Sequence, residues 1–180
     1  MSLDRPVPPN PYEMLPAVPA FEVVSDDITD GAPLADAQSA AGGSVSPHLR
    51  WSGEPEGTRS FLVTVHDPDA PTPSGFWHWQ VRDIPADVHE LPTGAGSAGG
   101  EQLPSGAAQG PNELGEKAFT GAAPPPGDRP HRYYVAVTAL DVPTMDVPAD
   151  ATPAVLSFMS LQHVLGRALI MGTHQVPVDA

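Results

Sequence analysis

Four side chains stand out as able to do chemistry together: Asp67, His78, His131 and Tyr133. Each lies at an end of an apolar, alternating run and close to a proline-rich turn. Asp67 follows the run 59–66, His78 falls near the start of 76–84, and His131 with Tyr133 opens 131–140. In an extended chain alternate side chains share a face, so His131 and Tyr133 stand about 7 Å apart on one side of a strand, within reach of one small ligand. Two imidazoles and a phenol supply N–H and O–H donors, and imidazole charges near neutral pH, so anion capture is the chemistry expected of the set. Asp67 would repel an anion, which makes it an orienter that favours the charged form of a nearby histidine. All of this requires the three runs to be neighbours in a sheet. A histidine at a strand edge is otherwise an ordinary half-buried residue.

Other chemistries have weaker support. His66, Asp67, Asp69, His78 and His131 contain the imidazoles and carboxylates of a two-histidine, one-carboxylate metal set, but no pair has the close helical His-to-His spacing of zinc motifs, and no metal is assigned. His66 points away from its neighbour Asp67. Ser74-Gly75 and Ser105-Gly106 lack the G-x-S-x-G elbow of a serine nucleophile. The sequence holds no cysteine, which excludes disulfides and thiolate chemistry, and 8 Lys and Arg against 22 Asp and Glu give a net charge of −14. Such a surface repels phosphate backbones, so no nucleic-acid partner is expected, and an anion must be held by a few local donors.

The elements that must position these residues read mainly as β. Among 180 residues, 24 prolines and 17 glycines predict long, turn-rich connections, while 40% hydrophobic content is enough for a core. Residues 1–20 carry six prolines and read as an arm lying over the domain or a neighbour. The remainder, 21–180, reads as a single domain. Phe21, Val23 and Ile28 mark a short strand or hairpin, and the runs 59–66, 76–84 and 131–140 are the clearest strands. Trp77, Trp79 and Val81 alternate onto one face and read as core, with Trp51. The Gly-, Ala-, Ser- and Pro-rich stretch 92–118 is either a binding loop or a disordered excursion. Thr152-Pro153 reads as a helix start, and Val155, Phe158, Met159, Leu161, Leu165, Ala168 and Leu169 recur at helical spacing before Gly172, predicting one C-terminal amphipathic helix whose stripe is core. Asp83, Asp87 and Glu90 read as a solvated acidic face. No stretch resembles a signal peptide or an integral membrane segment, so a cytoplasmic protein is expected.

The same residues resemble the motifs of the phosphatidylethanolamine-binding protein family, in its bacterial, Raf kinase inhibitor-like branch. Asp67-Pro68-Asp69-Ala70-Pro71 matches the family's D-P-D-A-P turn, and Trp77-His78-Trp79 its tryptophan–histidine segment. Gly121-Ala122-Ala123-Pro124-Pro125, Gly127 and His131-Arg132-Tyr133 match the G-x-x-P-P, glycine and H-R-Y sequence. Ser46-Pro47-His48-Leu49-Arg50-Trp51 and Asn112-Glu113-Leu114-Gly115 add support. The resemblance runs from about Phe21 to Gly172.

It implies two antiparallel sheets in a sandwich with few helices, and a small pocket for phosphate-like anionic groups, including phospholipid head groups. Carried over by position, the pocket is Asp67, His78, His131 and Tyr133, framed by Pro71, Trp77 and the wall Ala123, Pro124 and Pro125. The chain departs from its bacterial relatives at Ala122-Ala123, where G-P-C-P-P is common, and at His174. The expected function is a non-catalytic, cofactor-free binding protein that modulates other proteins. A small-molecule hydrolase using the same histidines, and a protease or kinase inhibitor contacting its partner through the arm or 92–118, are the alternatives. The resemblance also implies a homodimer, with Tyr12, Met14 and Leu15 of the arm at the two-fold contact.

Overall fold

The structure, a computed structural model, describes residues 4–178. Five strands form the larger sheet: β3 (Ser60–Asp67), β4 (Phe76–Pro85), β6 (Ala108–Gln109), β7 (His131–Leu140) and β8 (Val164–His174), in the order β6-β4-β3-β7-β8 and antiparallel throughout. A smaller antiparallel sheet holds β1 (Glu22–Val24), β2 (Leu49–Ser52) and β5 (Glu90–Leu91), in the order β1-β2-β5. The core lies between the sheets. Phe61, Val63 and Val65 of β3 and Val135 and Val137 of β7 meet Leu49, Trp51 and Leu91 of the smaller sheet, with Trp51 edge-on to Phe61 at 5.3 Å between ring centroids. Burying each such side chain contributes about 1.5–3 kcal/mol. The opposite face of β3 is covered too, since Leu62 packs with Leu140, Met145 and Leu156. All eight residues of β3 are therefore buried.

Two bulges decide which way β4 presents its side chains. Val65 pairs with Trp79 but His66 pairs with Trp77, so His78 is an extra residue without a partner on β3. The insertion puts Trp77 and Trp79 on different sides of the sheet. Trp79 enters the core, whereas Trp77 stacks on His66 at 4.2 Å, which corrects the expectation that both tryptophans share a core face. The second shift lies near Asp83, whose φ of 59° is left-handed. Asp83 is buried: it accepts from the Met145 amide at 2.8 Å and pairs with Arg82 at 2.8 Å, so it is not part of a solvated acidic face.

The C-terminal helix is shorter than expected. α1 spans Pro153–Ser160, with the Thr152 hydroxyl accepting from the Val155 amide, and the chain then turns into β8. In β8 the buried residues alternate as Gly166, Ala168, Ile170 and Gly172. A Cβ at Gly172 would meet Leu34 at 2.3 Å, so close packing of the 28–34 segment selects a strand there. The apolar run fits either period, and length alone could not separate the two. Nor is the stripe core: Val155, Phe158, Met159, Leu161 and Leu169 are exposed, and of α1's hydrophobic residues Leu156 enters the apolar cluster.

The arm lies on the outer face of the larger sheet of its own chain. Arg129 donates to the Arg5 carbonyl at 2.7 Å and Arg132 to the Pro8 carbonyl at 2.8 Å. Within a single 3-10 turn, Pro11–Met14, Tyr12 packs on Tyr134 and lies under Arg167. Tyr12, assigned above to a two-fold contact, thus makes intramolecular contacts, while Met14 is exposed. The stretch 92–118 is a chain of tight turns built around β6. Gln109 bonds Trp79, Ser97 and Lys117, and Asn112 bonds Leu114, Glu116 and Ala118.

Candidate ligand-binding site

The inward face of β7 continues past Val135 to Tyr133 and His131, and there a cavity of about 390 Å³ opens. Asp67, Pro71, His78, Ala123, Pro124, Pro125, His131 and Tyr133 line it, so eight of the nine site residues expected from the sequence meet in one place. Trp77 does not. The bulge at His78 turns it to the other side of the sheet, and Phe76 takes its place, 4.7 Å from the His78 ring. Leu114 completes an apolar rim, and no Lys or Arg lines the cavity among the described residues. A broader hollow of about 530 Å³ lies against the smaller sheet, where Glu54 and His89 pair with each other at 2.8 Å.

The Asp67 turn is shaped by its own side chain. Asp67 Oδ1 accepts from the amides of Asp69 at 2.7 Å and Ala70 at 3.1 Å, closing an Asx turn. Gly75, at φ 69°, lets the chain return against it, where a Cβ would stand 2.6 Å from both the Asp67 carbonyl and His66 Nε2. Asp67 Oδ2 is left to accept from His131 Nδ1 at 2.7 Å, the orienting role expected of it.

His131 is held on its other side as well, since Nε2 lies 2.9 Å from Asp128 Oδ2. A carboxylate accepts, so both ring nitrogens must donate and the ring is imidazolium. Burial opposes that charge, but the hydrogen bonds to Asp67 and Asp128 outweigh it and raise the His131 pKa. Asp128 is held well below the usual carboxylate range, first by Arg5 at 2.7 Å and then by His131. Arg5, which also donates to the Asp69 carbonyl, thus ends a chain Asp67–His131–Asp128–Arg5. Behind it, Asp69 is buried yet kept ionised: desolvation is outweighed by Arg132, which donates through Nε at 2.7 Å, Nη2 at 3.1 Å and its amide at 3.0 Å. Arg5 and Asp128 were not singled out in the sequence. Asp128 precedes His131 by one turn without any recognisable spacing signal, and Arg5 arrives from 126 positions away in the sequence.

His78 is the opposite case. Its Nδ1 lies 2.7 Å from the Thr120 carbonyl, which only accepts, so Nδ1 carries the proton. Burial draws its pKa from 6.5 down to about 4, and the neutral ring has a lone pair on Nε2. The expectation that both imidazoles would offer donors to an anion is therefore corrected. His78 is neutral, and both N–H groups of charged His131 are already engaged. Of the three donors expected from the sequence, Tyr133 remains. Its hydroxyl is buried without a hydrogen-bond partner, and the backbone group that bears on it, the Ala123 amide, leaves the hydroxyl proton without an acceptor. Burial, then the charges of Asp67 and Asp69, push its pKa up, so the proton stays on. The Tyr133 ring meets His78 edge-on at 5.1 Å. His174 pairs with His131 across β7 and β8 but does not line the cavity. Among the described residues no group of three or more His, Asp or Glu is arranged to hold a metal ion.

Fold and site together define a class: an antiparallel β-sandwich with an apolar-walled cavity over a carboxylate–imidazolium–carboxylate chain. The family model "Phosphatidylethanolamine-binding protein" matches residues 24–175. The UPF0098 protein YbcL of Escherichia coli strain K12 is 44% identical over 162 residues, 87% of this chain and 88% of YbcL, and YbhB of the same strain is 42% identical over 155 residues, 83% of this chain and 97% of YbhB. The crystal structure of YbcL, described as a new member of the mammalian PEBP family, superposes with a TM-score of 0.84 at 43% identity, covering 87% of this chain and 98% of that one. A homologue from Chlamydia trachomatis superposes at 0.75 with 30% identity, covering 87% of this chain and 97% of its own. The chain belongs to the phosphatidylethanolamine-binding protein family. No helix among its described residues is long and apolar enough to cross a membrane.

Proposed function

We propose that this protein is a non-catalytic binding protein whose cavity takes the oxygens of a small phosphate-like anionic group, with any apolar substituent lying against Phe76, Leu114 and Pro71. The observation that carries this reading is the Tyr133 hydroxyl, a buried donor without an acceptor at the wall of a cavity large enough for such a group. Buried polar groups are nearly always paired, so an orphan donor marks the place of a missing acceptor. The name of the family to which the chain belongs, for a phosphate-bearing head group, agrees with it. Catalysis finds little support. The ring nitrogen that could act as a base, Nε2 of His78, is too weakly basic for general-base work near neutral pH, and no hydroxyl hydrogen bonds it among the described residues.

Calorimetric titration of methyl phosphate into wild-type protein and Tyr133→Phe at pH 6 tests the reading. A hydrogen bond to a charged group contributes about 1.5–3 kcal/mol, so the variant should bind roughly 10- to 100-fold more weakly. Undetectable binding to wild type, or unchanged binding to the variant, would overturn the proposal.

A further inference from the structure

The cavity offers an incoming oxyanion an unusual pair of groups. Tyr133 presents a proton that needs an acceptor, while His78 presents, at Nε2, a lone pair that needs a donor. The tautomer of His78 follows from geometry, because its Nδ1 proton is taken by the Thr120 carbonyl at 2.7 Å. The rings of His78 and Tyr133 stand 5.1 Å apart, edge to face, and both residues line the one cavity. Nothing in the lining offsets a second negative charge: no Lys or Arg is present there, and Asp67 is. The imidazolium of His131 does not help, because it lies between Asp67 and Asp128.

We infer that the site selects oxyanions by protonation state, taking the singly protonated, singly charged form of a phosphate monoester, whose P–O–H donates to His78 Nε2 while another oxygen accepts from Tyr133. This rests on the function proposed above and deepens it, assigning His78 as the residue that determines specificity. The ligand supplies the proton. At a pH where the free ligand is a dianion, binding takes up one proton from solvent, ROPO₃²⁻ + H⁺ + protein giving protein·ROPO₃H⁻. The titratable and charged groups bearing on His78 are His66 and Asp67 from β3 and His131 and Tyr133 from β7. His66 and His131 oppose protonation of the ring and Asp67 favours it; desolvation exceeds all of them, so His78 does not acquire the proton near neutral pH.

The decisive comparison is methyl phosphate against methyl sulfate. At pH 5 both are chiefly monoanions of the same shape, and only the phosphate carries an acidic proton, whose pKa is about 6. Calorimetry on wild-type protein should give methyl sulfate at least tenfold weaker binding at pH 5. Methyl phosphate should lose affinity about tenfold per pH unit above its own pKa. Titrations at pH 8 in two buffers of different ionisation enthalpy should show uptake of about one proton per chain. In His78→Gln, whose side-chain amide can donate as well as accept, the preference for phosphate should shrink. Nitrogen-15 spectra of the wild type at pH 7 should show an unprotonated Nε2 on His78, independently of any variant's folding. Equal binding of the two ligands, or no proton uptake, would overturn the inference while leaving anion binding intact. Failure of both ligands to bind would instead remove the proposed function and this inference with it.

Discussion

Replacing Tyr133 by phenylalanine should make the ligand-free protein more stable and its binding of the ligand roughly 10- to 100-fold weaker. The phenol is 3% exposed and its hydroxyl has no partner. A buried polar group left unsatisfied costs about 1–3 kcal/mol, and Tyr133→Phe removes that group without opening a cavity, keeping the edge-on contact with His78. The Ala123 amide loses its weak interaction with the oxygen, so the gain belongs at the low end, about 1 kcal/mol. For a domain of this size that is a rise in Tm of about 2–4 °C. Thermal and urea unfolding in a buffer free of phosphate and sulfate measure it, and the urea m-value should not change. Methyl phosphate should then raise the Tm of wild type, by binding the native state alone, and raise that of the variant less at the same concentration. The order of stabilities should therefore narrow or reverse as ligand is added. A variant that unfolds more than 1 kcal/mol more easily than wild type would refute the reasoning, because it would mean that the hydroxyl is satisfied.

Four further predictions concern the frame of the site. Because the folded-state pKa of His78 is drawn from 6.5 to about 4, the unfolded chain takes up a proton below pH 6.5 that the native ring refuses; wild type should lose roughly 2 kcal/mol more than His78→Gln between pH 7 and pH 5, and equal losses in urea unfolding would contradict this. His131 acts in the reverse sense, its raised pKa giving stability that is complete below pH 6.5 and lost as pH rises through the folded value. Arg5→Ala breaks the 2.7 Å pair with buried Asp128 and should destabilise the protein by about 1–3 kcal/mol in urea, although Arg5 lies outside the family match; an unchanged midpoint would show that the arm does not support the site. Gly75→Ala places a methyl 2.6 Å from Asp67 and His66 at a left-handed φ and should cost at least about 1–3 kcal/mol by the same measurement, where a neutral result would argue against the tight return of the chain onto Asp67.

Much of the fold was legible because period-two alternation marks a strand whatever its neighbours. The runs now seen as β3, β4 and β7 were readable to within a residue or two. What misled were places where tertiary packing decides. The run through β8 suits a helix or a strand, and tertiary packing selects the strand, through its ladder with β7 and the close approach of Leu34 and Pro55 to Gly172 and Gly166. Trp77 was misplaced because a single inserted residue reverses the alternation, and no residue type in Phe76-Trp77-His78-Trp79 announces a bulge. At the site, Asp67, His78, His131 and Tyr133 could be named from their positions at strand ends, and the proline wall from its motif. Their protonation could not. That His78 is an acceptor depends on a carbonyl 42 residues away, and that His131 has no free N–H depends on Asp128 closing its second side. Arg5 and the rest of the arm looked separable in the sequence, yet the arm's carbonyls accept hydrogen bonds from Arg129 and Arg132.

The most direct test is a crystal structure of the protein with methyl phosphate at pH 6. The expected result is a phosphate group in the cavity lined by Asp67, His78, His131 and Tyr133, with one oxygen within hydrogen-bond distance of the Tyr133 hydroxyl, another facing His78 Nε2, and His131 still joined to Asp67 and Asp128. An empty cavity, a phosphate bound elsewhere, or His131 turned from its carboxylates onto the phosphate would contradict the account.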